Sequence, residues 1–380
     1  MNRNQSSTAF CEPPQATGRG PSRSRAYALF LLSLLLAGSG SVAAQASPPP
    51  VPAEQRARPV EGGPAQRGVS DWLARMHEGS RRRAYVGTFV VSSGASIASS
   101  RIWHVCDGAS QVERVESLTG APRSTFRRND QVITFLPESR EALAETRESL
   151  GLFPNLLGAT ESSIAEFYRA TVVATERVAG FDCDVVQLQP KDRLRFGYRI
   201  WSESRTGLVI KMQTLDVDGQ VLEQAAFSEL QLDAPVSMQK LTRMMASTDG
   251  YEVKRPELVR TTALAEGWLL KGGVPGFKPM SCYRRAGSVL AGGSAPEETM
   301  QWIFSDGLAS VSIFVEPADA RRHGAPGSMA IGATRTLTKR IVNKSSDKAR
   351  EWWLTVVGEV PGSTLALFVQ GLERSRPAPR

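Results

Sequence analysis

Apolar positions recur along the chain at two spacings. After Ser70, a residue suited to capping a helix, Trp72, Leu73 and Met76 follow at helical intervals and Gly79 closes the turn, which predicts a short helix. From residue 84 the pattern changes to short runs rich in β-branched and aromatic residues, at 84–92, 100–106, 111–118 and 131–136, separated by Gly94, Asp107-Gly108 and Asn129-Asp130. Ile164, Phe167 and Tyr168 share one helical face and predict a second helix over 160–170. Strand-like runs then resume at 171–178, 183–189, 197–202, 208–215 and 221–232. Thr206-Gly207 and Asp218-Gly219 stand at hairpin positions, where the second residue must tolerate positive φ. Closely spaced strands without βαβ alternation predict an antiparallel sheet and argue against a doubly wound nucleotide-binding fold.

Residues 233–255 read as a polar connector with a helical piece at 238–245. A second domain is expected over 256–372, with strands at 281–290, 299–305, 308–316, 334–342 and 352–357 and a hairpin turn at Asp306-Gly307. A final helix after Pro361-Gly362 places Leu365, Phe368, Val369 and Leu372 on one face, which needs a sheet to dock on. Residues 373–380 form a tail. The domain organisation expected is therefore a first domain over 70–232, a connector over 233–255 and a second domain over 256–372, within an α+β fold class.

The amino terminus has a different character. Arg19, Arg23 and Arg25 precede an apolar run at 26–37 and then small residues, the layout of a secretory signal over 1–46 with cleavage after Ala46, or after Ala44. The run is short of the ~20 residues that span a bilayer, which disfavours an uncleaved anchor. Residues 47–69 hold six prolines without apolar periodicity and read as a disordered leader. Loss of 1–46 removes four basic residues and one acidic residue, so the formal charge falls from +8 to +5. An exported chain with that mild basicity, lacking an aromatic-interleaved basic stripe, points to anionic head groups or an acidic partner rather than nucleic acid.

Candidate chemistry is sparse. The 380 residues contain three histidines and four cysteines, and no GxSxG, phosphate loop, HExxH or EF-hand spacing occurs. His77-Glu78 begins like HExxH, but Arg81 stands where the second ligand belongs. His104 and Cys106 alternate on one strand, which would allow a dyad but more simply makes them neighbours; His323 reads as a solvated loop residue. Three cysteines survive export, with no zinc spacing. Cys106 and Cys183 are the pair expected for one bridge because both fall in the first domain, the alternative being three small buried hydrophobes. No metal, cofactor or enzymatic activity is expected. Trp103, Phe126, Phe135, Tyr198, Trp201 and Phe227 would either line a ligand cavity in a curved sheet or fill its core. Arg127 and Arg128, with Phe126 and Phe135 close by, are the candidate site for an anionic ligand.

Three segments carry a resemblance. FGYRIWSESRTGLVIKMQTLDVDGQVLEQAAFSEL from Phe196, WIFSDGLASVSIFVEP from Trp302 and TVVGEVP from Thr355 together resemble the MucB/RseB family, periplasmic regulators of the envelope-stress factor sigma-E, over about residues 70–372. The resemblance implies an N-terminal domain like the carriers LolA and LolB, a bent antiparallel sheet forming a half-open barrel with helices, and a smaller C-terminal α+β domain. It also implies a periplasmic protein that binds an RseA/MucA-like membrane anti-sigma factor, shields it from site-one proteolysis and is released by lipopolysaccharide or another acylated ligand. A homo-oligomer is compatible with it. The competing reading is a periplasmic lipid or lipoprotein carrier of the LolA type, which would need only the first domain.

Overall fold

The structure is a computed structural model, and it describes residues 67–108, 110–146, 164–255, 258–285, 299–343 and 350–375. The signal, nearly all of the leader and the end of the tail lie outside the described residues. Helix α1 (Val69–Arg81) begins one residue before the expected cap: Gly68 is the N-cap in place of Ser70, and the Asp71 carboxylate reaches back to accept the Gly68 N–H at 3.0 Å. Six strands follow: β1 (Tyr85–Ser93), β2 (Ser96–Cys106), β3 (Gln111–Ser117), β4 (Ser124–Arg128), β5 (Gln131–Leu136) and β6 (Glu141–Thr146). Of the second expected helix, the described part is one turn, α2 (Ile164–Phe167). Tyr168 already starts β7 (Tyr168–Val178), because that strand pairs with β8 (Phe181–Pro190) from its first residue, Tyr168 opposite Pro190. Strands β9 (Gly197–Glu203), β10 (Val209–Leu215) and β11 (Val221–Leu232) complete the meander.

Residues 233–255 differ from a free connector. Helix α3 (Met238–Ala246) is capped by Ser237, whose Oγ accepts the Lys240 N–H at 3.2 Å. Its i and i+4 residues Leu241 and Met245 are buried against Val105, Val112, Phe126 and Phe135 of the first sheet. Strand β12 (Glu252–Lys254) then pairs in parallel with β6, and Lys254 forms an ion pair with Glu141. This stretch is therefore part of the first sheet's own packing. The resulting order, β12-β6-β5-β4-β3-β2-β1-β11-β10-β9-β8-β7, is a large curved sheet left open at β12 and β7 rather than closed into a barrel.

The remaining strands are β13 (Leu258–Arg260), β14 (Trp268–Leu270), β15 (Lys278–Arg285), β16 (Thr299–Ser305), β17 (Ser310–Pro317), β18 (Ser328–Ile331), β19 (Thr334–Asn343) and β20 (Arg350–Gly358), then helix α4 (Gly362–Gly371) and β21 (Leu372–Arg374). Seven of the strands form a second sheet in the order β13-β15-β16-β17-β20-β19-β18, and β14 pairs with β21. Helix α4 docks as its apolar face requires: Leu365, Phe368 and Val369 join Trp268, Phe304, Val311, Ile313, Leu354 and Val356 in one core.

Close approach fixes α1. A Cβ on Gly79 would lie 2.6 Å from the backbone of Thr206 and of Leu208, so only glycine lets the helix cross the β9–β10 turn, where Gly207 takes φ +84°. His323 is not solvated: its ring stacks on Trp353 at 4.8 Å, Nδ1 accepts the Asp319 N–H at 2.9 Å, and Nε2 lies 3.1 Å from Glu316 Oε1. The expected Cys106–Cys183 bridge is not formed, and Cys282 is also a free thiol. Cys106 ends β2 whereas Cys183 is buried in β8, on the far side of β1, β11, β10 and β9 in the sheet. Burial pushes the Cys183 thiol up to about 12 and the Cys282 thiol up to about 11, so neither is a ready thiolate nucleophile.

Candidate functional site

The four residues expected to bind an anion do not share one pocket. Phe126 and Phe135 meet edge to face at 5.7 Å beneath α3, and Phe135 meets Tyr251 at 5.0 Å, so both belong to the core. Strand alternation sends Arg127 to the opposite face. There its Nε donates to the Asn129 carbonyl at 2.9 Å and its Nη1 lies 4.0 Å from Glu113 Oε1. Arg128 is exposed at the end of β4. The aromatic set likewise fills core: Tyr198 packs with α1, while Trp201 and Phe227 pack with Tyr85, Phe89 and Ile102.

Register places Arg127 in a polar row that the sequence does not announce. Tyr85 stands opposite His104, His104 opposite Glu113, and Glu113 opposite Arg127, across β1 to β4. Tyr85 and His104 are fully buried and their rings stack at 4.7 Å, while His104 Nδ1 donates to the Arg83 carbonyl at 2.8 Å. That bond assigns the proton to Nδ1 and rules out a dyad in which Nδ1 serves Cys106. Burial holds the imidazole below its ordinary value, against the opposing pull of Glu113. A depressed histidine contributes stability that is present above the unfolded value near 6.5 and is lost as pH falls below it. His104→Asn, which keeps an N–H for Arg83, is therefore expected to flatten the loss of stability between about pH 6.5 and 5. Urea melts of wild type and variant across that window check this, and parallel slopes would refute it.

The most elaborate polar construction lies where the two sheets' domains meet. Arg195, in the β8–β9 loop, and Asp306, in the β16–β17 turn, have fully buried side chains, with Nε donating to Asp306 Oδ2 at 2.6 Å. Arg195 Nη2 donates to the Pro275 carbonyl at 2.5 Å and Nη1 pairs with Asp192. The guanidinium packs against two rings, 4.3 Å from the centre of Phe167 and 5.0 Å from that of Phe277. Asp306 Oδ1 accepts the N–H groups of Leu308 and Ala309 at 2.9 and 2.7 Å, and Tyr168 Oη donates to Oδ2 at 3.3 Å. Both charges thus have hydrogen-bond partners, the condition for tolerating an ion pair away from water. In the sequence Asp306 reads as a turn residue and nothing points to Arg195, because 111 positions separate them.

Comparison with known proteins agrees with this two-part architecture. Residues 68–245 match the MucB/RseB N-terminal domain and residues 262–373 the MucB/RseB C-terminal domain. The sigma factor AlgU regulatory protein MucB of Pseudomonas aeruginosa is 29% identical over 298 residues, covering 78% of this chain and 88% of MucB. The sigma-E factor regulatory protein RseB of Escherichia coli K12 is 23% identical over 309 residues, covering 79% and 89%. Among solved structures, the Pseudomonas aeruginosa MucA/MucB complex superposes with a TM-score of 0.61 at 26% identity over 81% of this chain and 99% of that chain. MucB in complex with MucA(peri) gives 0.62 at 24% identity, with the same coverage. With both domain models matched in order and most of the described chain covered, the protein belongs to the MucB/RseB family.

Proposed function

We propose that this protein is a periplasmic negative regulator of a sigma-E-type envelope stress response, which binds the periplasmic segment of an RseA/MucA-like anti-sigma factor and shields it from the first proteolytic cut. The observation that carries this reading is the match to both family domains, together with the likeness to MucB solved with MucA. The export signal read at 1–46 supports the compartment. A second domain of this size is more than a LolA-type carrier needs. The reading is of a binding protein rather than an enzyme, since its relatives are regulatory proteins. The mature chain at saturating concentration should slow cleavage of the purified anti-sigma segment by its site-one protease. Cleavage at an unchanged rate would overturn the reading.

Release by an acylated anionic ligand such as lipopolysaccharide is part of the proposal, and the two arginines divide their roles in it. Arg128 is exposed and can meet a phosphate, whereas Arg127 acts through Glu113 inside the sheet. Arg128→Ala should weaken binding of fluorescent lipopolysaccharide about tenfold, at ~1.4 kcal/mol per decade, with the melting temperature unchanged. Arg127→Ala should lower the melting temperature instead, since Glu113 loses its partner. Equal affinity of Arg128→Ala and wild type at low and high salt would remove Arg128 from the site.

A further inference from the structure

The seam between the two domains combines apolar contacts with one fully buried ion pair. Leu194 of the first domain packs on the second core, and Leu308 of the second packs on the α1 cluster of the first. Thr364 Oγ1 of α4 donates to the Leu194 carbonyl at 2.8 Å. Further along, the β18–β19 turn lies on the first sheet: a Cβ on Gly332 would sit 2.0 Å from Ser93 Oγ, and the Arg335 guanidinium lies 5.5 Å from the Phe196 ring. Among the described residues no strand is shared between the two sheets. Among these contacts the Arg195–Asp306 pair has both side chains fully buried.

We propose that Arg195 and its socket form a reversible joint, a charged lock at which the two domains part and rejoin as intact bodies. An apolar seam would separate only at the cost of exposing its whole area to water. A buried ion pair behaves differently, since both ions regain hydration when they separate, and its net contribution to the closed state is small compared with that of well-packed apolar side chains. What the pair does supply is register. The guanidinium fits with Nε on Asp306, Nη2 on Pro275 and the Phe167 and Phe277 rings against it, a set of contacts that only one closed orientation of the domains satisfies. Each domain keeps its own sheet and core when the lock opens, so opening needs far less free energy than unfolding. This inference concerns the joint itself and does not depend on which partner the protein binds.

Thiol labelling of the whole mature chain tests it. Thr364 is fully buried at the seam, whereas Cys282 is buried within the second core, so Thr364→Cys reports parting of the domains and the native Cys282 reports unfolding of the second one. Thr364→Cys is expected to react with a maleimide at least tenfold faster than Cys282. Adding Arg195→Ala should speed labelling of Thr364→Cys about tenfold more and leave Cys282 slow. The apolar replacement Arg195→Met with Asp306→Leu should slow it below the rate in the otherwise unaltered chain, and it serves where Arg195→Ala folds poorly. Equal labelling of the two thiols would overturn the joint, as would a rate insensitive to both replacements. Acceleration of Cys282 together with Thr364→Cys in Arg195→Ala would also overturn it, by showing that the pair maintains the second domain's own fold.

Discussion

Replacing Phe368 with alanine is expected to destabilise the second domain by about 3 to 5 kcal/mol, the range for deleting a fully buried aromatic ring. Phe368 is inaccessible to solvent, and its ring meets Phe277 at 5.7 Å nearly edge on and Phe304 at 5.0 Å. Helix α4 has ten residues, too few to persist alone in water, so its order depends on this docking. The void left by the ring would lie between the helix and strands already fixed by their own hydrogen-bonded neighbours, which limits collapse around it. Leu367, 38% exposed on the outer side of the same helix, is the control, and Leu367→Ala should cost less than about 1 kcal/mol. Calorimetry of both variants should move only the transition assigned to the second domain for Phe368→Ala. A loss of less than about 1 kcal/mol there would mean that α4 does not dock through this face.

Local features were legible in the sequence and long-range ones were not. The β9–β10, β10–β11 and β16–β17 hairpins follow from Thr206-Gly207, Asp218-Gly219 and Asp306-Gly307, and two of these glycines sit at φ +84° and +83° as such turns require. Helix α1 and helix α4 follow from apolar spacing. Strand β4 is hidden in the sequence because Ser124–Arg128 reads as a basic run, and its one large apolar residue, Phe126, suits a ligand contact as well as the core it joins. Helix α3 reads as a linker because Gln239, Lys240, Thr242 and Arg243 interrupt its apolar positions, although Leu241 and Met245 are buried and Met238 and Met244 pack beside them. The polar row from Tyr85 to Arg127 depends on the register of four strands, and a shift of one residue would send every member to the other face. The Arg195 socket draws on four separate segments, including Phe167, Pro275 and Phe277, so nothing near Arg195 in sequence marks it.

Gly276→Ala separates the two ways a glycine can matter at the socket, and it should cost at least about 2 kcal/mol. Gly276 has φ +81°, a conformation that costs an L-residue roughly 1 to 2 kcal/mol. Gly272, at φ +79°, shares that cost but faces open space, with nothing within 4 Å of a Cβ built there. A Cβ on Gly276 would instead fall 2.0 Å from Arg195 Nη2 and 2.8 Å from the Phe167 ring. The guanidinium would have to leave its position, breaking the bond to the Pro275 carbonyl and straining the one to Asp306, and each charged hydrogen bond lost leaves a buried group short by about 1.5 to 3 kcal/mol. Gly272→Ala should therefore cost only the backbone term, and the difference between the two variants measures the socket alone. Most of the extra cost of Gly276→Ala should disappear when Arg195→Ala is already present, because the nearer colliding group is then absent and the Phe167 ring can turn into the space it leaves. Denaturant melts of the two single variants and of Gly276→Ala combined with Arg195→Ala supply the comparison. Additive losses in the combined variant would show that Gly276 matters for its turn and not for the arginine beside it.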